Sequence, residues 1–411
     1  MAKHSRASRF SLGTGLGLSL LAFASCAGAP PRPTEDAPSS SQKVPQPAGA
    51  PAAKKGTTKA PCEACAEAEA KGSAKGKSAE AAPSAKRADS VVHCPADMVY
   101  VEGDYCTAES NSAAADEHGN TPGAGQRDLE VVERECKREW YAEQNKKRVC
   151  EEFSPEVSCK GKKVKKSYCI DRYEWPNKKG EMPEVMNRFH QAQVKCAAVG
   201  KRLCTESEWT FACEGPDMDP FPYGVVRDAN KCHGDEEWDA PNMKKIAARE
   251  PAELRRLYKA EPSGEPECKS DFGVYDLPGN ADEIAASETF DGKGALYDSV
   301  TTGGPWYKGV RNQCRPKIYT HDEGFYYYYL SFRCCAEADG AETDPRTPKQ
   351  RRAGESIKKA ERTAGITVEE MREMLEKKKT DPTCGCKSTR CRTYCGTLLE
   401  TDAKAKDPSP K

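Results

Sequence analysis

Hydrophobic spacing marks two helices near the middle of the chain. In NRFHQAQVKCAAVG (187–200), Phe189, Ala192, Cys196 and Val199 recur on one face of a 3.6-residue period. Asn187 stands where a cap is expected, and Gly200 where a helix ends. In TESEWTFACEGP (205–216), Thr205 and Glu208 form a capping box, Trp209 and Cys213 share a face, and Gly215-Pro216 stops the helix. The period falls to two in YYYYLSFRCC, which predicts a strand. Tyr326, Tyr328, Leu330, Phe332 and Cys334 share one side; Tyr329, Ser331, Arg333 and Cys335 share the other. Adjacent Cys334 and Cys335 therefore point oppositely and bond different partners. CPADMVYVEGDYC (94–106) predicts a short strand, 107–135 a polar exposed insertion, and ITVEEMREMLEKKK (366–379) an amphipathic helix on Ile366, Met371 and Leu375. Short strands, few helices and much loop describe an α+β chain.

The flanks read differently. Lys3, Arg6 and Arg9 precede the apolar FSLGTGLGLSLLAFAS, too short and glycine-broken for a convincing membrane span, so 1–26 reads as a signal peptide. Ala24 and Ser25 before Cys26 resemble a bacterial lipobox, with Phe23 where that motif prefers leucine. Two readings stay open: lipidation at Cys26, or ordinary secretion with cleavage near the alanines. Residues 27–92, rich in Pro, Ala, Ser and Lys, read as a disordered stalk; 93–337 as the ordered domain; 338–411 as a polar tail with a short helix and a four-cysteine cluster. The expectation is a protein exported to the bacterial cell envelope, lipid-anchored in the membrane, facing the periplasm or the cell surface.

Composition narrows the chemistry. Of 411 residues 37% are apolar and the mean hydropathy is −0.82, so a large part of the chain cannot pack into a core. Lys+Arg and Asp+Glu balance at 64 each, and no nucleic-acid-binding motif is present, so nucleic acid is set aside as a partner. The 21 cysteines imply an oxidising compartment, and lipidation at Cys26 would leave an even number. Disulfide candidates in the ordered domain are Cys94, Cys106, Cys169, Cys196, Cys204, Cys213, Cys232, Cys268, Cys314, Cys334 and Cys335. Cys62 and Cys65 (CEAC) suit a local or intermolecular disulfide better than a redox pair, which needs a strand–helix scaffold. Cys384, Cys386, Cys391 and Cys395 could hold zinc, but C-x-C-x4-C-x3-C matches no assignable zinc spacing, and two small-loop disulfides suit the compartment. No two histidines are spaced as ligands on one helix. His190 reads as a surface residue; His321, with Asp322 and Glu323, either lines a pocket or decorates a loop.

Three stretches in order are specific together: GKRLCTESEWTFACEG (200–215), FGVYDLPGNADEI (272–284), and GGPW, RNQCRP and LSFRCC within 303–335. They resemble the formylglycine-generating enzyme (sulfatase-modifying factor) family, whose pattern runs GKRLPTEAEWE, GLYDMxGNVWEW, RGGSW and GFR. CIDRYEWPN (169–177) matches an early family strand, and the resemblance spans roughly 94–337. It implies a C-type-lectin-like α+β fold, poor in regular structure and held by disulfides and calcium. Carried over by position, it implies a structural Ca²⁺ at Asp276, Gly279, Ala281 and Glu283, with Asn230 matching part of a second site. The alternative is a plain turn with solvated carboxylates. Asp282 and Ile284 stand where the family's WEW has aromatic residues.

The family's oxidase binds Cu(I) through two cysteines shortly after RGGSW, but WYKGVRN (306–312) contains none. Cys314 aligns better with a later, structural family cysteine. A free Cys314 between Arg311 and Arg315 would favour the thiolate; an oxidising compartment favours a disulfide. The family's iron-dependent relatives use an H-x3-H-x-E signature that is absent here. The expectation is a non-catalytic binding or scaffolding module for an envelope protein or peptide. The alternative is a divergent oxidase of a protein substrate using Cu and O2, with Cys314 as the candidate catalytic residue; a third reading is carbohydrate binding through calcium.

Overall fold

The strand expected over 94–106 forms as β1 (Met98–Thr107), paired antiparallel along its whole length with β4 (Lys162–Asp171). In this computed structural model the described residues are 93–108, 128, 130–143, 145–291 and 293–400, all within one compact unit. The expected signal peptide, the stalk, Cys26, Cys62 and Cys65 lie outside them. β10 (Cys334–Ala336) and β5 (Arg202–Leu203) complete a four-stranded sheet in the order β1-β4-β10-β5. A second sheet runs β8 (Lys317–Ile318), β7 (Ser299–Thr302), β6 (Asp282–Ala286), β9 (Leu330–Phe332), with β6 and β9 parallel.

The tyrosine-rich strand differs from expectation. Only Leu330–Phe332 and Cys334–Ala336 are strand, and they belong to different sheets. Arg333 is the crossing point: its side chain turns inward to Glu283, while Cys334 bonds Cys196 and Cys335 bonds Cys204. Tyr326 to Tyr329 precede the strand, and the rings of Tyr327, Tyr328 and Tyr329 meet one another tilted or edge-on.

α1 (Phe189–Ala198) begins one residue later than the sequence suggests, with Arg188 at the cap position. Asn187 is fully buried instead, its amide donating to Glu184 and Val185 O. α2 (Glu206–Glu214) has the expected box: Thr205 N donates to Glu208 Oε2 at 2.8 Å, Glu208 N to Thr205 Oγ1 at 3.4 Å, and Gly215 ends it at φ 66°. α2 packs on the first sheet through Trp209 and Phe211 against Val101, Tyr105, Tyr168 and Ile170. Two short helices follow, α3 (Met243–Ala247) and α4 (Pro251–Leu257).

Two regions carry more structure than the pattern announces. The insertion leads into a long ribbon, β2 (Val132–Ala142) and β3 (Lys147–Cys159), closed by Cys136–Cys150 and tied to β1 by Cys106–Cys159. The polar tail forms four helices rather than one: α5 (Pro348–Arg352), α6 (Ile357–Ala364), α7 (Val368–Thr380) and α8 (Thr389–Cys395). They cover the second face of α1, where Val194 and Ala198 meet Ala364, Ile366, Met371 and Tyr394. Polar groups of α1 find partners there too, Gln193 on Gln350 and Lys195 on Thr393 O. The four-cysteine cluster holds two disulfides, Cys384–Cys395 and Cys386–Cys391.

Candidate functional site

The loop at 303–316 is fixed at its start by close packing. Gly303 has φ 93°, and a Cβ there would lie 2.5 Å from Leu277 O and 2.9 Å from Trp209. Trp306 is buried among Tyr258, Tyr328 and Tyr329. Asn312 ties the loop to itself, accepting from Gly309 N at 2.7 Å and donating to Pro305 O at 2.7 Å. Gln313 donates to Cys150 O at 2.8 Å, so the ribbon leans on the loop from outside.

Cys314 is fully buried and bonded to Cys213 of α2. Its basic neighbours do not act on sulfur. Arg311 forms a bidentate pair with Asp282, at 2.8 and 2.6 Å, and Arg315 another with Glu214, at 2.6 and 2.7 Å. Burial alone would lower the pKa of Arg311, but Asp282 outweighs it and raises it. Asp282, at a position where the resemblance expects an aromatic ring, thus anchors the loop by charge.

Beside the loop runs a groove of about 380 Å³, lined by Met243, Ile246 and Ala247 of α3 and by Tyr297, Thr320, His321, Asp322, Gly324, Phe325, Tyr326 and Tyr327. A row of rings joins groove to loop: His321 on Phe325 at 3.8 Å, Phe325 on Tyr327 at 5.7 Å, Tyr327 on Tyr329 at 4.7 Å, and Tyr329 on Tyr307 at 5.7 Å. Partial burial holds the His321 imidazole below its ordinary pKa, so it is neutral at pH 7. His321 therefore lines a pocket, and Asp322 lies beside it. Tyr326, Tyr327 and Met243 are lining residues that the sequence reading does not name. The available signal was four consecutive large rings, which a strand with one buried face cannot all cover.

The residues proposed for calcium lie at the start of β6. Asp276 accepts from Gly264 N at 2.5 Å and Glu265 N at 3.2 Å. Glu283 accepts from Arg333 at 2.6 and 2.8 Å and from Trp209 Nε1 at 3.0 Å. Gly279 has φ 86°, and a Cβ there would meet His233 O at 2.6 Å. Ala281 N donates to Glu174, which also accepts from Ser263 and Asn280. Glu174, Asp276 and Glu283 are all buried, and Arg333 is the cation among them. Burial, then the neighbouring carboxylates, lifts Glu174 well above the ordinary range; burial takes Asp276 to about 7. On the strands flanking Glu283, the hydroxyls of Thr302 and Ser331 are buried without a hydrogen-bond partner. The carboxyl and hydroxyl oxygens are of the kind a hard cation takes, but Arg333 and Trp209 already occupy Glu283, and the Gly264 and Glu265 N–H groups already occupy Asp276. Among the described residues no group of three or more His, Cys, Asp or Glu side chains is arranged around a metal position. Asn230 is exposed and donates to Asp228 through its backbone N and its amide.

The remaining disulfide candidates pair as Cys94–Cys169 and Cys232–Cys268. His190 is half-buried on α1, with Nδ1 3.2 Å from Gln193 Oε1. Among the described residues no helix is long and apolar enough to cross a membrane.

Residues 107–338 match the model of the sulfatase-modifying factor enzyme 1-like domain. Solved structures similar to the chain include PvdO from Pseudomonas aeruginosa, 13% identical, covering 58% of this chain and 94% of that one at a TM-score of 0.33. CarF is 12% identical, covering 59% and 98% at 0.34, and Treponema denticola variable protein 1 is 19% identical, covering 33% and 47% at 0.23. No curated protein matches the chain.

Proposed function

The chain belongs to the sulfatase-modifying factor, or formylglycine-generating enzyme, family, and from that premise we propose that it is a non-catalytic binding or scaffolding module exported to the bacterial cell envelope. Its partner, a protein or peptide, lies over the aromatic groove and the 303–316 loop. One observation carries the reading. Cys314 is half of a buried disulfide with Cys213, and 306–312 contains no cysteine, so the loop offers no pair of thiolates for Cu(I). Asp276 and Glu283 carboxylates, with Gly279 and Ala281 carbonyls, would hold a structural calcium ion, whose charge would balance the buried acids. Cys26 is the proposed lipid anchor.

Thiol mapping tests the reading. Protein made in an oxidising compartment is alkylated without reduction and its modified cysteines are identified by peptide mass. Cys314 is expected to be unmodified, and a Cu(I) titration to show no tight site. A free Cys314 that Cu(I) protects from alkylation would establish the divergent oxidase instead. The anchor is tested by incorporation of a labelled fatty acid, expected in the wild type and lost in Cys26→Ala.

A further inference from the structure

Arginines that brace the core face a carboxylate: Arg202 meets Glu208, Arg311 meets Asp282, Arg315 meets Glu214, and Arg333 meets Glu283. Two beside the tyrosine run do not. Arg188, at the start of α1, and Arg249, between α3 and α4, have no carboxylate partner among the described residues, and both stack on the ring of Tyr326, at 5.0 and 4.1 Å from its centre. Arg249 donates from Nη1 to Met186 O at 2.6 Å and to Thr393 Oγ1 at 3.5 Å, neither of them a charged partner. Tyr326 also lines the groove. Two like charges thus flank a lining residue of the groove, with a carboxylate paired to neither among the described residues.

We propose that Arg188 and Arg249, clasping Tyr326, form an anion clamp that selects an acidic peptide segment, its carboxylate on the guanidiniums and an adjoining apolar side chain in the groove. The proposal rests on the binding-module reading and names its partner's chemistry. Burial already pushes Arg249 down to about 10, and the like charge of Arg188 opposes its protonation further, so a bound carboxylate relieves a strain present in the free protein. The groove favours a peptide over a sugar. Two of its hydroxyls are turned to the protein, Tyr326 OH to Ala247 O and Tyr327 OH to Met243 Sδ, leaving ring faces rather than hydrogen-bonding edges. Met243 is 58% exposed, an adaptable thioether suited to an apolar side chain. Asp322, the one carboxylate in the lining, accepts from Gly324 N.

The test uses the full chain and four fluorescent probes: blocked hexapeptides alternating leucine with glutamate, glutamine or lysine, and a polygalacturonate fragment. Anisotropy should show the glutamate peptide binding about tenfold more tightly than the glutamine one, the worth of a charge-assisted hydrogen bond. Arg188→Gln, at an exposed position, should abolish that preference without changing thermal stability. Arg249→Gln should do the same in the fraction that folds. Equal binding of the glutamate and glutamine peptides, or a preference that survives Arg188→Gln, overturns the clamp. So does binding of polygalacturonate alone, or of no probe. A lysine preference overturns the clamp while leaving the binding module standing, and the thiol map reports on that module independently.

Discussion

At Glu206 a single buried side chain is placed to respond to pH. Its Oε1 accepts from Glu288 N, Ser287 Oγ and Thr289 Oγ1, and its Oε2 from Tyr319 at 2.5 Å. Burial, offset in part by Lys317, raises its carboxyl from 4.5 to about 7. The native state therefore keeps a proton that the unfolded chain has released between those values. This contribution to stability is present below about pH 4.5 and lost as pH rises through about 7. Melting temperatures between about pH 5 and about pH 8 should accordingly fall less steeply in Glu206→Gln than in the wild type, by the equivalent of roughly 3 kcal/mol. Identical slopes would show that Glu206 does not titrate in the folded protein. Glu208, two residues on, behaves oppositely. Burial would raise it, but Arg202 outweighs burial and holds it at about 2. Its contribution is present above the ordinary carboxylate range and lost only toward that value.

At the scale of elements, the first question is what holds α2 to the loop. Cys213–Cys314 closes 101 residues of sequence, and the Arg315–Glu214 pair lies one residue further along on both sides. Replacing both cysteines by serine should lower stability by roughly 3–5 kcal/mol, read as a denaturant midpoint, if the crosslink acts by constraining the unfolded chain. An unchanged midpoint would mean the loop is held by Arg311 and Arg315 alone. The helices after 348 pose the second question. Met371 of α7 is fully buried against the far face of α1. Met371→Ala should cost about 2–5 kcal/mol and shift a single cooperative transition, because these helices cover the second apolar face of α1. A separate early transition would show that the helical cap melts on its own.

For the whole molecule, crosslinks stand in for extended secondary structure. All eighteen described cysteines are paired, and Cys196–Cys334, Cys204–Cys335 and Cys213–Cys314 tie α1, the start of α2 and the loop to chain more than 100 residues away. By chain entropy such long loops contribute roughly 4–5 kcal/mol each, which suits a protein whose second sheet consists of strands of two to five residues. The buried acids at Glu174, Asp276 and Glu283 add a second dependence. Chelation with EGTA is expected to lower the melting temperature, and calcium, not magnesium, to restore it. A melting temperature indifferent to both would remove calcium from the account and leave Arg333 and bound protons to balance the cluster.

What the sequence determined was local. α2 is legible because its capping box, its helical stripe and its terminating glycine all lie within eleven residues, and a period of two separated Cys334 from Cys335. The motif set was enough to indicate the family because it depends on identity and order. Tertiary structure decided what depends on encounters between distant segments. Cysteine spacing alone does not choose among the many possible pairings, and whether Arg311 serves Cys314 or Asp282 depends on where β6 lies. The polar tail, where the pattern predicts one short helix, forms four because α1 has a second apolar face and polar groups that need partners. Tyr326 and Tyr327 became a groove wall for the same reason: the chain crosses between sheets at Arg333, Tyr328 turns into the core, and the first two rings of the run are left at the groove, with Arg188 and Arg249 on Tyr326.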